Sequence, residues 1–219
     1  MTETTNQSGA ARAIAAILAL LGWVLLALQL YLSLAKGHVD GKSTTEIITN
    51  YFSFFTILGN LLITLIFTSI AIAPPGPGPS LQAAAAVYIT IVGAGYSLLL
   101  RSVWSPEGLQ KLLNIMHHDV MPIVYVLFWI VFARRLRALP WSSAIRWLIA
   151  PLIYLAYSIV RGSIARWYPY HFLDPRSVGW PHIFSIIAGF LVAFLALGLA
   201  TISLTRSEPL ADSAEIPLP

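Results

Sequence analysis

Six long apolar runs constrain the fold of this chain more than any other feature of its sequence. A helix that crosses a bilayer takes about 20 predominantly apolar residues, and each run approaches or exceeds that length. The sequence therefore predicts an all-α fold, namely a polytopic membrane protein built as a bundle of six transmembrane helices. The six runs cover residues 12–35, 47–73, 82–101, 115–133, 143–162 and 181–204.

Composition excludes several other classes of protein. Of the 219 residues, 58% are hydrophobic and only 10% are charged, whereas soluble domains carry roughly 25% charged residues. The basic residues behind the net charge of +4 lie at the ends of the runs, so they do not indicate a nucleic-acid partner. The chain has no cysteine, which excludes disulfides and thiolate metal sites. The first run is too long for a signal-peptide core, so we expect a retained span.

The chain reads as one domain between two tails. Residues 1–11 and 205–219 are polar or rich in proline, and such segments are expected to be disordered. Residues 12–204 contain the six runs without a convincing internal repeat. A segment rich in proline and glycine at 74–80 lies between the second and third runs. No helix continues through such a segment, so the two runs form separate helices.

The loop between the fourth and fifth runs indicates the orientation in the membrane. Basic residues in short loops mark the cytoplasmic side of a membrane, so we expect this loop and both termini to lie in the cytoplasm. If the source is bacterial, the membrane is the cell membrane. Basic residues also occur in the opposite loops, so the prediction depends on how tightly this cluster is grouped. The cluster consists of Arg134, Arg135, Arg137 and Arg146.

Two polar stripes run along otherwise apolar helices. Both recur at spacings of three and four residues, which places each stripe on one helix face. A membrane helix turns a polar face toward protein or trapped water, so two such faces at one depth predict a functional site. The first stripe is Thr49, Ser53, Thr56 and Asn60, and the second is Gln110, Asn114, His117, Met121 and Tyr125.

Two helix-start signals place the centres of these stripes at a similar depth. Ser43 begins a Ser-Thr-Thr-Glu capping box, and Ser105 precedes Pro106 in the order typical of a helix N-terminus. Thr56 lies 13 residues beyond the first signal, and His117 lies 12 residues beyond the second. Both positions are therefore about 18–20 Å along their helices.

Thr56 and His117 are the candidate catalytic residues. A threonine hydroxyl is a weak nucleophile until a base takes its proton, and histidine is the usual base near neutral pH. Two ordinary interpretations compete with this one. Most membrane threonines bond back to the carbonyl four residues earlier, and a buried histidine can simply bond to a backbone carbonyl or water.

The run His117-His118-Asp119 has a poor spacing for a metal site. Neighbouring residues on a helix point about 100° apart, and helical metal ligands usually lie three or four residues apart. A metal-dependent hydrolase remains a third hypothesis, although our leading prediction includes no metal and no cofactor. Residues from the last loop that could complete such a site are His171, Asp174 and His182.

The fifth run carries a third polar face. Arg161 at its end would either extend to the membrane interface or bind a carboxylate, a phosphate or one of the aspartates Asp119 and Asp174. The loop at 167–174 is aromatic and is typical of an interfacial belt. The polar face consists of Tyr154, Tyr157, Ser158 and Arg161.

Short motifs at these positions resemble the androgen-induced and androgen-dependent TFPI-regulating proteins. That family has a threonine followed by a polar residue four positions on, as Thr56 is followed by Asn60 in this chain. Its histidine segment is similar to residues 114–122. In both, a methionine precedes the histidine and a proline follows five residues later, so His117 corresponds to the family's catalytic histidine. A Trp-x-Tyr-Pro-like segment is loosely similar to residues 167–173.

The resemblance implies a multi-span threonine hydrolase that cleaves fatty acid esters of hydroxy fatty acids. This chain differs from the family's motif at two positions, and these differences bear on the identity of the substrate more than on the type of reaction. Ile115 replaces the first histidine of the family segment, and Asp119 replaces an uncharged residue.

The leading hypothesis is an intramembrane hydrolase of fatty acyl esters with Thr56 as nucleophile and His117 as base. Asn60 or Asn114 would donate to the oxyanion, and Arg161 and Tyr157 of the fifth run would bind the substrate. The expected partners are membrane lipids and the lipid ester. The rival hypothesis is a non-enzymatic binder, transporter or sensor of lipids or small molecules. A chain without broken helices is a poor secondary transporter.

Overall fold

The computed structural model describes residues 2–134 and 136–206. Every long element within these ranges is a helix, and no strand occurs in them. The ten α-helices of the described ranges are α1 (Thr2–Val39), α2 (Thr44–Phe52), α3 (Phe55–Ile72), α4 (Pro79–Gly95), α5 (Gly108–Ile115), α6 (Met121–Phe128), α7 (Ser142–Trp147), α8 (Ile149–Ala165), α9 (Pro175–Val178) and α10 (Trp180–Arg206).

Several helices are extended or joined by short segments of another helical type. A π-helical segment, Tyr96–Leu100, continues α4, and a second one, Met116–Val120, joins α5 to α6 without a break. A third π-helical segment, Trp129–Ala133, ends α6. The last loop contains the 3₁₀ turn His171–Leu173. The π-helical segment Met116–Val120 contains both histidines of the candidate site.

Six helical stretches are long and apolar enough to cross a membrane, which confirms the predicted all-α bundle. The protein is an integral, multi-pass membrane protein. The described helices also modify the predicted ends: α1 starts inside the expected N-terminal tail, α10 ends at Arg206, and the rest of the C-terminal tail lies outside the described residues. The spans are Gly9–Val39, Phe55–Ile72, Pro79–Leu100, Gly108–Ala133, Ser142–Ala165 and Trp180–Arg206.

Small residues bring the central helices close together. The run of alanines from Ala83 to Ala86 on α4 is almost fully buried. On α3, a Cβ atom at Gly59 would lie 3.2 Å from a methyl of Val92. Helices in lipid associate through close van der Waals contact, which small residues permit. α3 and α4 therefore form the centre of the bundle, with α1, α6 and α10 packed around them.

The second span is broken, contrary to the prediction of one continuous helix over 47–73. α2 ends at Phe52, Phe54 is extended at φ −85° and ψ 126°, and α3 starts at Phe55. Side chains of α8 satisfy the polar groups at the break. Tyr154 donates a hydrogen bond of 2.9 Å to the Ser53 carbonyl, and the Tyr157 hydroxyl lies 2.8 Å from Ser53 Oγ. The expectation of unbroken helices was therefore wrong.

Only one of the two predicted helix starts is confirmed. Ser43 caps α2, because its hydroxyl accepts a hydrogen bond of 3.2 Å from the backbone N–H of Glu46. Ser105 and Pro106 instead lie in a loop, and α5 starts at Gly108. Gly108 has a φ of +54°, a left-handed value that glycine adopts readily, so the right-handed helix cannot continue backward through it.

Candidate active site

The break in the second span places Thr56 in the first turn of α3. The hydroxyl of a helical threonine usually bonds to the carbonyl four residues earlier, but here the chain four residues earlier belongs to a different helix. The side chain of Thr56 is buried, at 8% exposed. Its Oγ1 is therefore available to other partners.

Other threonines of the bundle show the ordinary arrangement. Their hydroxyls donate to the carbonyl four residues earlier at 2.7–2.8 Å, and this holds for Thr49, Thr64, Thr68 and Thr90. The ordinary interpretation that competed with a catalytic role therefore applies to these four residues. Thr56 differs from them because the helix starts immediately before it.

His118 is the partner of the Thr56 hydroxyl. Its Nε2 lies 3.2 Å from Thr56 Oγ1, and its Nδ1 lies 2.9 Å from the carbonyl oxygen of Asn114. A carbonyl can only accept a hydrogen bond, so Nδ1 carries the proton and Nε2 presents a lone pair. The Thr56 hydroxyl therefore donates to His118, which is the arrangement of a nucleophile and its base.

The predicted pairing of Thr56 with His117 is corrected by this contact. The ring of His117 is 3% exposed, and neither of its nitrogens has a hydrogen-bond partner among the described residues. Its backbone carbonyl accepts a bond of 3.1 Å from the side-chain amide of Asn60. The two stripes do meet at one depth, as predicted, but through the neighbouring histidine.

The π-helical segment Met116–Val120 accounts for this one-residue difference. Its backbone bonds span five residues, as from the Met121 N–H to the Met116 carbonyl, so side chains here do not follow the α-helical spacing used for the prediction. π-helical turns inside α-helices are rare and occur frequently at functional sites. Of the two neighbouring histidines, His118 contacts Thr56.

An aromatic ring holds the imidazole of His118 in place. Tyr96 stacks on it with ring centres 4.1 Å apart and planes inclined by 26°. The Tyr96 hydroxyl accepts a bond of 2.5 Å from the Asn114 side chain, so Asn114 fixes His118 through its carbonyl and Tyr96 through its amide. The Arg101 guanidinium lies 4.9 Å from the centre of the Tyr96 ring.

Tyr170 is the second polar partner of Thr56. Its hydroxyl lies 3.4 Å from the Thr56 backbone nitrogen and 3.4 Å from Thr56 Oγ1. Because the Thr56 hydroxyl proton is directed at His118, the Tyr170 O–H is the donor toward Oγ1. Burial raises the pKa of Tyr170 above its ordinary value, so this donor stays protonated at neutral pH.

Thr56 lies in the wall of an apolar cavity between α3, α4, α8 and α10. The cavity has a volume of about 70 Å³. Most of its wall consists of aliphatic and aromatic side chains, such as those of Ile91, Leu155 and Phe190, and polar groups come from Thr56 and three tyrosines. The three tyrosines are Tyr96, Tyr154 and Tyr170. The Thr56 hydroxyl therefore lies at the edge of an apolar space.

The two asparagines predicted to stabilise an oxyanion have structural roles instead. Asn60 is 2% exposed, and its amide donates to the carbonyls of Thr56, at 2.9 Å, and of His117, at 3.1 Å. Asn114 donates to Tyr96, as described above. Neither residue lies in the cavity wall. Asn60 ties α3 to the histidine helix, and Asn114 positions the imidazole.

The predicted substrate-binding residues of α8 also lie outside the cavity wall. Tyr157 contacts Ser53 at the helix break, and the Nη2 atom of Arg161 donates a bond of 2.5 Å to the side-chain carbonyl of Asn50. The guanidinium of Arg161 lies 4.9 Å from the Trp167 ring centre. Tyr157 and Arg161 therefore contact α2 and the helix break rather than the cavity, whereas Tyr154 of the same face lies in the cavity wall.

The residues considered for a metal site do not converge. Asp119 forms an ion pair with Arg101, and Asp174 pairs with Arg176 at 2.7 Å. The hydrogen bonds from Arg176 lower the pKa of Asp174 below its ordinary value. His171 and His182 are exposed. No group of three or more His, Asp or Glu side chains suited to a metal ion occurs within residues 2–134 and 136–206.

Sequence reasoning missed four residues of the site: His118, Tyr96, Tyr154 and Tyr170. One signal could have indicated His118, because it lies four residues after Asn114 and thus on the same helical face. Tyr96 lies on an apolar span whose pattern does not distinguish it from a packing residue, whereas Tyr154 was placed on the polar face of the fifth run but was not assigned to the site. Tyr170 was attributed to an interfacial aromatic belt.

Comparison of the chain with models of protein families, with curated proteins and with solved structures finds no match.

Proposed function

We propose that the protein is an intramembrane hydrolase of lipid esters, with Thr56 as the nucleophile and His118 as the general base. The observation that carries this proposal is the hydroxyl of Thr56, which the helix break frees from the usual backbone bond and which lies 3.2 Å from Nε2 of His118. The resemblance of the motif around Thr56 to a family of threonine hydrolases gives additional support.

The first half of the reaction transfers the acyl group to the enzyme. Oγ1 of Thr56 attacks the ester carbonyl carbon while Nε2 of His118 takes the hydroxyl proton. The tetrahedral intermediate then breaks its bond to the alcohol oxygen, and the imidazolium returns the proton to that oxygen. The products of this half are an acyl-threonine ester and a free alcohol.

Two groups would stabilise the negative charge of the tetrahedral intermediate. Tyr170 presents a protonated phenol close to Oγ1. Thr56 also lies at the positive end of α3, where backbone N–H groups have no acceptor within the helix. One such donor in an apolar site contributes about 2.7–4 kcal/mol to stabilising the transition state.

The second half of the reaction releases the acid. A water molecule gives a proton to Nε2 of His118 and attacks the acyl carbon. The bond to Oγ1 breaks, the oxygen recovers its proton from the imidazolium, and the product is a carboxylic acid. These steps require no cofactor. The carbonyl of Asn114 keeps the proton on Nδ1, so the same nitrogen acts as base and acid in both halves.

The apolar cavity would hold the acyl chain of the ester. Its volume of about 70 Å³ is about half that of an engineered cavity that binds benzene, so only a short section of the chain fits inside. The rest of a fatty acyl group would extend along the bundle into lipid. The membrane itself would then deliver the substrate.

The arginine-rich loop would lie in the cytoplasm with both termini, in keeping with the distribution of basic residues. Thr56 is near the start of α3 and His118 is in the first half of its span, so both lie toward the opposite leaflet. The loop that contains Tyr170 covers the site from that side. Substrate would therefore enter from the outer leaflet.

A second candidate function is non-enzymatic binding or transport of a lipid or small molecule. The broken second span favours it, because interrupted helices line the binding sites of many transporters. In that case Thr56 and His118 would be polar contacts to a ligand in the cavity, and the chain would catalyse no ester hydrolysis.

An ester hydrolysis assay separates these functions. Purified protein in nanodiscs should hydrolyse an acyl ester, and Thr56→Ala, His118→Ala and the double variant should lose activity to a similar extent, because catalytic pairs act as a unit. The control is Thr90→Ala, which removes a hydroxyl bonded to Ala86 and should keep the parent activity. Full activity in Thr56→Ala would refute the proposal, and activity lost with a chelator would indicate a metal enzyme.

A further inference from the structure

A large cleft opens at the end of the bundle away from Thr56. It is formed by the start of α4, the loop before α7 and the first turns of α7, and its volume is about 690 Å³. Ser80 lies in it, 16 residues before Tyr96 on the same helix, which corresponds to about 24 Å. The cleft is therefore separate from the candidate active site.

Two arginines in the wall of the cleft have no acidic partner. Arg137 forms no hydrogen bond or ion pair in the described part of the chain, and Arg146 donates only to Ser143, at 2.9 Å. The ion pairs of the described ranges involve other residues. Every carboxylate whose side chain is described lies at the opposite end of the bundle: Asp40, Glu46, Glu107, Asp119 and Asp174.

The cleft lies at the ends of helices that are long and apolar enough to span a membrane. Two spans begin at this end of the bundle, one at Pro79 and one at Ser142. Tryptophans prefer this interfacial level, and Trp147 donates a bond of 3.1 Å to Ser80 while Trp141 is 48% exposed. In a bilayer the two arginines would therefore lie at the depth of the lipid headgroups.

We infer that this cleft binds the phosphate of an anionic phospholipid, with Arg137 and Arg146 as its ligands. Arginine binds phosphate through two parallel hydrogen bonds, and basic pockets between membrane helices recognise anionic headgroups. Ser143 already orients the side chain of Arg146. A volume of about 690 Å³ falls within the range of small-molecule sites.

The apolar surroundings favour a lipid over a soluble phosphate. Leu81 lies in the cleft wall and is 44% exposed, and Ile145, next to Arg146, is 67% exposed. Acyl chains below a bound headgroup would cover these side chains. The site does not depend on the proposed hydrolase activity, because it shares no residue with the Thr56 cavity.

Native mass spectrometry of the full chain in detergent tests this inference with phosphatidylglycerol and phosphatidylcholine as probes. The parent protein should retain phosphatidylglycerol in preference to phosphatidylcholine. Arg137→Gln with Arg146→Gln should weaken phosphatidylglycerol binding by about tenfold or more, since each basic residue near an anionic lipid strengthens its binding. Arg137→Gln alone should give part of this loss. It should leave the fold undisturbed, because Arg137 forms no hydrogen bond or ion pair with the described residues.

Arg134→Gln is the matched control, because it removes the same charge at the same end of the bundle from a residue outside the cleft wall. It should bind phosphatidylglycerol as the parent does. Equal binding of the two lipids by the parent would overturn the inference, as would an equal loss in the Arg134 variant. Displacement of phosphatidylglycerol by millimolar inorganic phosphate would identify a site for free phosphate instead.

Discussion

The hydroxyl of Thr56 lies 3.2 Å from Nε2 of His118 because the second span is interrupted at Phe54, two residues before the threonine. In a continuous helix, the same hydroxyl would bond to its own backbone, as it does at Thr49 and Thr64. The break, the free hydroxyl and the fixed tautomer of His118 therefore form one structural unit.

Substitution of the two adjacent histidines should have opposite consequences for activity. His118→Gln removes the base and should reduce kcat by about 10²–10⁴-fold, the usual contribution of general base catalysis. His117→Gln should keep most of the activity, because the ring of His117 bonds to no described residue and only its backbone carbonyl contacts Asn60. Steady-state kinetics in nanodiscs measure both effects, and the reverse order would restore the pairing predicted from the sequence.

Tyr170→Phe should lower kcat by about 10²–10³-fold with little change in KM, because the lost phenol acts on the charge of the intermediate. Burial raises the pKa of Tyr170 above the ordinary tyrosine value of about 10. Deprotonation of Tyr170 should therefore cause no loss of activity in the parent protein below about pH 10. Tyr168→Phe in the same loop is the control. An unchanged kcat in Tyr170→Phe would remove this residue from the mechanism.

The sequence was sufficient to predict the fold but not the position of the helix break. Six apolar runs of membrane length determine the number of spans, because lipid leaves no alternative for a long apolar segment. The break at Ser53 and Phe54 contains neither proline nor glycine. Its polar groups are satisfied by Tyr154 and Tyr157, more than 100 residues away in the chain, and no local pattern indicates such partners.

The sequence predicted part of the candidate site, because polar residues within a membrane span point toward the protein interior. The polar stripes identified Thr56 and the correct region of the fourth span, since intramembrane polar residues point inward. Choosing between His117 and His118 required the local helical geometry, and the π-helical segment Met116–Val120 changes it. Tyr170 reaches Thr56 from a loop, and periodicity does not constrain the direction of a loop side chain.

Tyr154→Phe should destabilise the protein by about 1–3 kcal/mol, the cost of leaving the Ser53 carbonyl without its buried donor. Unfolding in mild detergent, followed by the fluorescence of the tryptophans, measures this change. Tyr31→Phe is the control, because Tyr31 is 64% exposed and its loss should have no measurable effect. Equal stability of both variants would show that the break does not depend on the tyrosine.

Membrane orientation can be tested in a chain that has no natural cysteine. Ala138→Cys lies in the arginine-rich loop and is exposed, so a membrane-impermeant maleimide should label it only after cell lysis. Ser177→Cys in the opposite loop should be labelled in intact cells. The inverse labelling pattern would place the site at the inner leaflet.

In the proposed mechanism Thr56 forms a covalent bond with the acyl group, and this bond can be mapped by mass spectrometry. Protein treated with an activated acyl ester or a fluorophosphonate, then digested and analysed by mass spectrometry, should carry the adduct on Thr56. The adduct should be absent from Thr56→Ala and much reduced in His118→Gln. An adduct on another residue, or one that persists in Thr56→Ala, would contradict the account.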